Sequence, residues 1–203
     1  MSERVPPPAG PDWLRGVLAG DASAIDVCCR EQHAAVYRLC LGFLASASDA
    51  EDTAQDAMLR LLDGMRQYDP QQPFAQWRNT VVLNLCRDRQ RSWRRRRRAH
   101  LDAVAARADA MPAPSDALER RELRAMLEQA LRALPVRERE AFVLRDLEDV
   151  DTADVATAMG VTPATVRSLL TLARRRLRGL LADRLEAQPP TAAPCIDGED
   201  RRG

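Results

Sequence analysis

The stretch DTADVATAMGVTPATVRSLLTLARR, residues 151–175, reads as two helices around one glycine. Asp151 to Asp154 can cap a short helix through Met159, and Gly160 then supplies a permissive turn. Thr162 is a good N-cap, and Pro163 suits the first position of a helix. Val166, Leu169, Leu170, Ala173, Leu177, Leu180 and Leu181 recur at helical spacing and predict an inward stripe. Thr165, Arg167, Ser168, Thr171, Arg174, Arg175 and Arg178 are left mainly on the outer faces. A short helix, a glycine turn and a basic helix with polar first turns predict a helix–turn–helix that could enter a major groove. A helical hairpin with a solvated basic face fits the same periodicity.

Upstream the pattern stays helical, and no alternating strand run survives inspection. Asp21 can cap a helix over Ala22–Phe43, with Ala24, Val27, Cys28, Ala34, Tyr37, Leu41 and Leu44 on or near one face. Ser48 and Glu51 fit a capping box for a helix to about Met65. Tyr68 to Phe74 is a loop punctuated by Pro70 and Pro73, and a long helix follows to about Arg98. Pro135 breaks the next helix, which marks its face with Leu123, Leu127, Ala130, Leu131 and Leu134; another covers Val136–Leu147. The expected architecture is all-α: two small helical domains, 16–98 and 118–185, joined by a flexible linker over 99–117. Disordered ends are expected over 1–15 and 186–203.

The chain has 203 residues, of which 45% are hydrophobic, enough for packed cores. Aromatics are only 4%, which weighs against an aromatic-rich β-sandwich. No apolar run approaches the roughly 18 residues of a membrane span. The N-terminus lacks the apolar core of a secretory signal, so a cytoplasmic protein without membrane insertion is expected. The 5 cysteines include no CxxC pair, and there are only 2 histidines, so no metal site or cofactor is expected. Cys28, Cys29, Cys40 and Cys86 fit small buried positions; a vicinal redox pair at Cys28 and Cys29 is the alternative.

Net charge is only +1, but its distribution is uneven. Residues 1–64 carry 5 Arg against 10 acids, and 65–98 carry 10 Arg against 2. Residues 99–152 return to 8 Arg against 12 acids, and 153–188 carry 6 Arg against 3. Two basic blocks on an otherwise acidic chain point to two polyanion sites. All 31 basic residues are Arg, which a GC-rich coding bias explains without selection for phosphate contacts. The first block, Arg87 to Arg98, exceeds what a helix C-terminus requires. With Tyr68, Phe74, Trp77 and Trp93 nearby, it has the composition of a single-strand nucleic-acid site. Trp77 also fits a core position.

Taken in order, these motifs resemble bacterial RNA polymerase sigma factors of the extracytoplasmic-function (ECF) type, over about residues 16–185. Ala19 to Ala24 resembles the family's GD-x-x-A opening, and Asp49 to Gln55 its DAED-x-x-Q segment. Trp77, Asn84, Asp88 and Arg91 match its W…N…D…R spacing. Leu134-Pro135, Arg139-Glu140 and Leu144-Arg145 match its LP…RE…LR pattern. Thr165 to Ser168 and Ala173-Arg174 match its recognition helix. Arg78 departs from the usual Leu, and Leu172 from the usual basic residue.

The resemblance implies a non-enzymatic specificity subunit that binds core RNA polymerase at its clamp and flap, and promoter DNA. Asp49, Glu51, Asp52, Gln55 and Asp56 would dock on the clamp; a solvated helix N-terminus would carry the same acids. Tyr68, Phe74, Asn84 and Arg87 would form or approach a pocket for a flipped base of the −10 element, beside Trp77. Arg94, Arg95 and the rest of the run to Arg98 would hold phosphates. Arg91 would serve the DNA or pair with Asp88 along the helix. Arg167, Ser168 and Thr171 would read the −35 element, with Thr165, Arg174 and Arg175 on phosphates. The resemblance also admits an anti-sigma partner masking both domains, of which the sequence gives no sign. A stand-alone helix–turn–helix regulator would explain residues 120–181 but not the acidic helix or the arginine run. A nucleic-acid enzyme would need a metal-carboxylate or nucleophile–base cluster, and the acids at 49–56 have the simpler explanation.

Overall fold

Eight helices, with one 3₁₀ turn and one π turn, account for most of the computed structural model, which describes residues 10–100 and 116–187. They are α1 (Leu14–Ala19), α2 (Ala22–Leu44), α3 (Ala47–Gly64), α4 (Phe74–His100), α5 (Asp116–Ala133), α6 (Val136–Phe142), α7 (Thr152–Met159) and α8 (Pro163–Ala187). No strand occurs among the described residues. The expected linker lies mostly outside them, as do the tail from residue 188 and Cys195.

Local chemistry sets the helix ends. Asp21 caps α2 by accepting from the Ser23 amide at 3.0 Å. The cap of α3 is Ser46, not Ser48: its hydroxyl accepts from the Asp49 amide at 3.5 Å, two residues ahead of the expected box. Ser48 is already helical, and its hydroxyl lies 3.4 Å from that of Ser46. Asp151 opens α7 without a side-chain bond to the helix. The expected helix over Val136–Leu147 is α only to Phe142 and continues as a π turn over Val143–Leu147. There the Glu148 amide donates to the Val143 carbonyl at 3.0 Å, five residues back.

Helices α2, α3 and α4 pack as the first unit. Ala50, Thr53, Ala54 and Ala57 give α3 a small-residue face against α2, where Val36, Leu39 and Phe43 are buried. Ala34, expected on the packed face of α2, is exposed, because the stripe runs through Cys28, Ala35, Val36, Leu39 and Phe43. Residues 10–15 are ordered, contrary to the expected disorder. Trp13 and Leu14 are buried, and Trp13 Nε1 donates to Glu31 at 2.7 Å. Burying two large apolar side chains offsets the entropy of ordering the segment.

The second unit closes around Leu144, Val155, Met159, Val166, Leu170 and Ala173. The two units share one buried cluster: Leu131, Leu134, Ala141 and Val143 join Val36, Leu39, Phe43 and Cys86. Glu138, Arg139 and Glu140 are buried among them, each with a partner. Arg176 donates to Glu138 at 2.9 Å, Arg139 donates to the Leu131 carbonyl at 3.3 Å, and Glu140 accepts from Arg87 and Arg137. A buried charge without such partners would be strongly destabilising.

Candidate nucleic-acid interface

Helix α3 buries Ala50, Thr53, Ala54, Ala57, Met58 and Leu61 and leaves Glu51, Asp52, Gln55 and Asp56 exposed. Asp49 is half-buried in the first turn. Asp56 is ion-paired with Arg89 of α4, so it is less available than its neighbours. Leu59 shares the face of Asp52, Gln55 and Asp56 and is 63% exposed. It is not among the docking residues expected from the sequence. Its signal was the i, i+3, i+4, i+7 spacing from Asp52.

The expected −10 residues divide into three groups. Tyr68 and Phe74 are buried with Trp13, Leu14, Cys28 and Met65, and Trp77 packs at the edge. Phe74 meets Trp13 edge-on at 5.0 Å and Tyr68 at 5.3 Å, and the Tyr68 hydroxyl donates to the Gln72 carbonyl at 2.6 Å. These rings already pack edge to face against one another, so Tyr68 and Phe74 do not form an open base pocket here.

The second group lies along one face of α4: Asn84, Asp88, Arg91 and Arg95 are exposed. Arg91 donates to Asp88 at 2.5 Å, which is the intrahelical pairing. Asn84 lines a shallow cleft of about 320 Å³ with Arg60, Gly64, Gln67, Trp77 and Asp88. Gly64 borders it closely: a Cβ there would lie 3.3 Å from the Trp77 ring. The side chain of Arg94 is outside the described residues. The third group is Arg87, about a quarter turn away on α4. It donates to both oxygens of Glu140 at 2.8 and 2.7 Å and is committed to the second unit.

Arg78, the departure from the family pattern, is accommodated by polar partners. It donates to Asn79 at 3.2 and 3.0 Å and to Gln32 at 3.0 Å. Burial pulls its pKa down, and the nearby Glu148 partly restores it. Burial likewise pushes the Cys28 thiol up to about 11, with Cys29 and Glu31 adding to the effect. That keeps thiolate scarce and weighs against the redox reading of Cys28 and Cys29. Cys28, Cys40 and Cys86 are buried and Cys29 is half-buried.

Gly160 adopts φ 65°, and its amide reaches back to α7. The Thr162 hydroxyl accepts from the Thr165 amide at 3.2 Å and opens α8. Thr165, Arg167, Ser168, Thr171 and Arg175 are all exposed. Ser168 donates to the Ala164 carbonyl at 3.2 Å and Thr171 to that of Arg167 at 2.9 Å, which leaves their oxygen lone pairs outward. Arg174 is fixed by two bonds to Asp146, at 2.9 and 2.6 Å, which raise its pKa. Arg178, outside the sequence-derived site set, is exposed on the same face as Arg167, Thr171 and Arg175. Behind that face, Met126, Leu127, Phe142, Leu147, Leu177 and Leu180 line an apolar groove of about 360 Å³. Four of them, Met126, Leu127, Leu147 and Leu180, are exposed, and the sequence periodicity placed Leu127 and Leu180 in a packed stripe.

Two family models match the chain: sigma-70 region 2 over residues 29–99 and sigma-70, region 4, over residues 124–177. The ECF RNA polymerase sigma factor SigM of Mycobacterium tuberculosis is 34% identical over 170 residues, covering 84% of this chain and 83% of that protein. The ECF RNA polymerase sigma factor SigW of Bacillus subtilis is 26% identical over 158 residues, covering 73% of this chain and 83% of that protein. The solved structure of CnrH in complex with the cytosolic domain of CnrY has the same fold, with a TM-score of 0.63 at 20% identity. It covers 84% of this chain and 96% of that one.

Proposed function

The chain belongs to the sigma-70 family, in its ECF group, and we propose from that premise how its parts divide the work of a promoter-specificity subunit. It is an alternative sigma factor: it binds core RNA polymerase and directs promoter recognition for transcription initiation. Residues 16–98 act as region 2 and 118–185 as region 4. Catalysis belongs to the polymerase, and the chain acts in the cytoplasm beside it. No described helix is long and apolar enough to cross a membrane.

The observation that carries this reading is the separation of an exposed acidic face from two basic ones. Glu51, Asp52 and Gln55, with Leu59 at the end of the row, dock on the basic clamp of the polymerase. Complementary charge steers such an encounter, and the apolar tip adds contact area. Asn84, Arg91 and Arg95 line the path of the melted −10 strand, and the cleft beside Asn84 takes a flipped base. On α8, Arg167, Ser168 and Thr171 face base edges of the −35 duplex, while Thr165, Arg174, Arg175 and Arg178 hold its phosphates. The apolar groove lies on the far side of α8 from these residues, so a helix of the polymerase flap can occupy it while DNA is read. An anti-sigma protein, the class of partner this group of factors admits, would compete for the same apolar surface.

Gel filtration with core polymerase at moderate salt tests the reading. Wild type co-elutes with core, and the Asp52→Arg, Gln55→Ala variant, still helical, does not. Well-folded wild type that leaves core unbound would overturn the assignment and favour a stand-alone DNA-binding regulator.

A further inference from the structure

Arg167, Thr171, Arg174 and Arg178 follow the i, i+4, i+7, i+11 spacing of one face of α8. Within that row Arg174 is bound to an acid from another element. Its Nε and Nη2 donate to the two carboxylate oxygens of Asp146, at 2.9 and 2.6 Å. The side chain of Asp146 is 19% exposed and that of Arg174 is 50% exposed. On charge alone an acid beside a DNA-reading row is a poor choice, because it repels the phosphates that the arginines attract.

The backbone that carries Asp146 is firmly held. Asp146 stands in the π turn, behind the buried Val143 and Leu144. The Glu148 amide donates to the Val143 carbonyl at 3.0 Å, and the Val150 amide donates to that of Leu144 at 2.9 Å. Both bonds close the turn around Asp146. On α8, Leu170 and Ala173 are buried, so the backbone of Arg174 is fixed as well. A free arginine side chain spreads over many rotamers, and ordering it at the moment of contact costs free energy. The carboxylate meets that cost before DNA arrives.

The pair is not needed to tie α8 to the preceding helix. Arg176, about 200° round the helix from Arg174, already donates to the buried Glu138 of α6 at 2.9 Å. That tie lies on the inner side of α8, and the Asp146 tie lies on the reading side. Asp146 takes the Nε–Nη2 edge of the guanidinium. The Nη1–Nη2 edge keeps protons for another acceptor, and a phosphate matches such an edge in two-point geometry.

We propose that Asp146 is a positioning residue for −35 recognition: it holds the Arg174 guanidinium on the reading face, with the free edge turned to one phosphate of the duplex. The role rests on the sigma-factor reading, in which Arg174 holds a −35 phosphate. It reverses an ordinary sign. Removing an acid beside DNA tightens binding by general electrostatics; removing this one weakens it.

The test uses the holoenzyme and a duplex that it selects from a random pool, with single −35 phosphates replaced in turn by neutral methylphosphonate. Wild type is expected to lose about tenfold in affinity at the phosphate under Arg174. Arg174→Ala is expected to ignore that replacement, with a salt slope shallower by about one. Asp146→Asn keeps the shape of the side chain and breaks the two-point grip. It is expected to bind the unmodified duplex about threefold more weakly and to lose most of its response at that same phosphate. Its response at the other phosphates is expected to stay that of wild type, and adding it to Arg174→Ala is expected to change nothing further. Asp146→Asn binding as tightly as wild type or tighter, or a loss spread evenly over the phosphates as a merely structural tie would give, would overturn the positioning role and leave the sigma reading standing. Wild-type holoenzyme that selects no −35 duplex would overturn the sigma reading, and the role of Asp146 with it.

Discussion

Helices α4 and α8 both carry basic residues that the proposed function turns toward nucleic acid, but they are held ready to different degrees. On α8 the proposed reading face stands open: Arg167, Ser168, Thr171 and Arg175 are exposed, and the hydroxyls are already oriented by helix carbonyls. On and beside α4 the expected readers are occupied. Tyr68 and Phe74 pack with Trp13, Arg87 is clasped by Glu140, and Arg91 is paired with Asp88. A helix that reads intact duplex benefits from side chains set in advance. A helix that receives a strand only after melting has no partner until then, and its polar groups find partners within the protein.

The sharpest way to break this contrast is Phe74→Ala. If the ring is core, chemical denaturation will show a loss of about 3–5 kcal/mol. Stability unchanged with DNA melting abolished would instead make Phe74 a reader and the two helices alike. Arg167→Ala on α8 should behave the opposite way. Holoenzyme selection from a random duplex pool is expected to relax at one −35 position by about 1–3 kcal/mol. Its unfolding midpoint should stay within the equivalent of about 0.5 kcal/mol. A smaller effect is expected at the entry to α8, where Thr162→Ala removes the cap and costs about 1 kcal/mol. No loss there would mean that Gly160 and Pro163 alone set the helix start. Smallest is Asp88→Ala, which frees Arg91 from a solvent-exposed pair at a cost of about 0.3 kcal/mol. A gain in single-strand affinity from that change would show Arg91 to be a reader held in reserve.

The helix–turn–helix was legible because its signals are local. Gly160, Thr162 and Pro163 act within one turn of where they stand, and the structure places each as the sequence suggested. The acidic row on α3 was legible for the same reason, although its cap lay two residues earlier, since Ser46 and Ser48 are chemically equivalent candidates. The roles of the aromatics were not legible. A ring near arginines in sequence looks like a stacking platform, and only the arrival of Trp13, some sixty residues earlier, makes Phe74 a core residue. Arg87 and Glu140 pose the same problem at a separation of 53 residues. Each is an ordinary exposed charge by local pattern, and the pair exists only through packing.

The π turn at Val143–Leu147 has a consequence for how the second half is aimed. It holds one residue more than an α-helix would use, so the segments on its two sides are out of phase. Deleting a single residue there would restore an ordinary helix and rotate everything before it by about 100°. Glu140 would swing off the azimuth of Arg87, while the helix–turn–helix beyond kept its own geometry. The surplus residue thus works as an angular offset between two machines on one shaft. A change of one in chain length at that point would be felt as a change of direction.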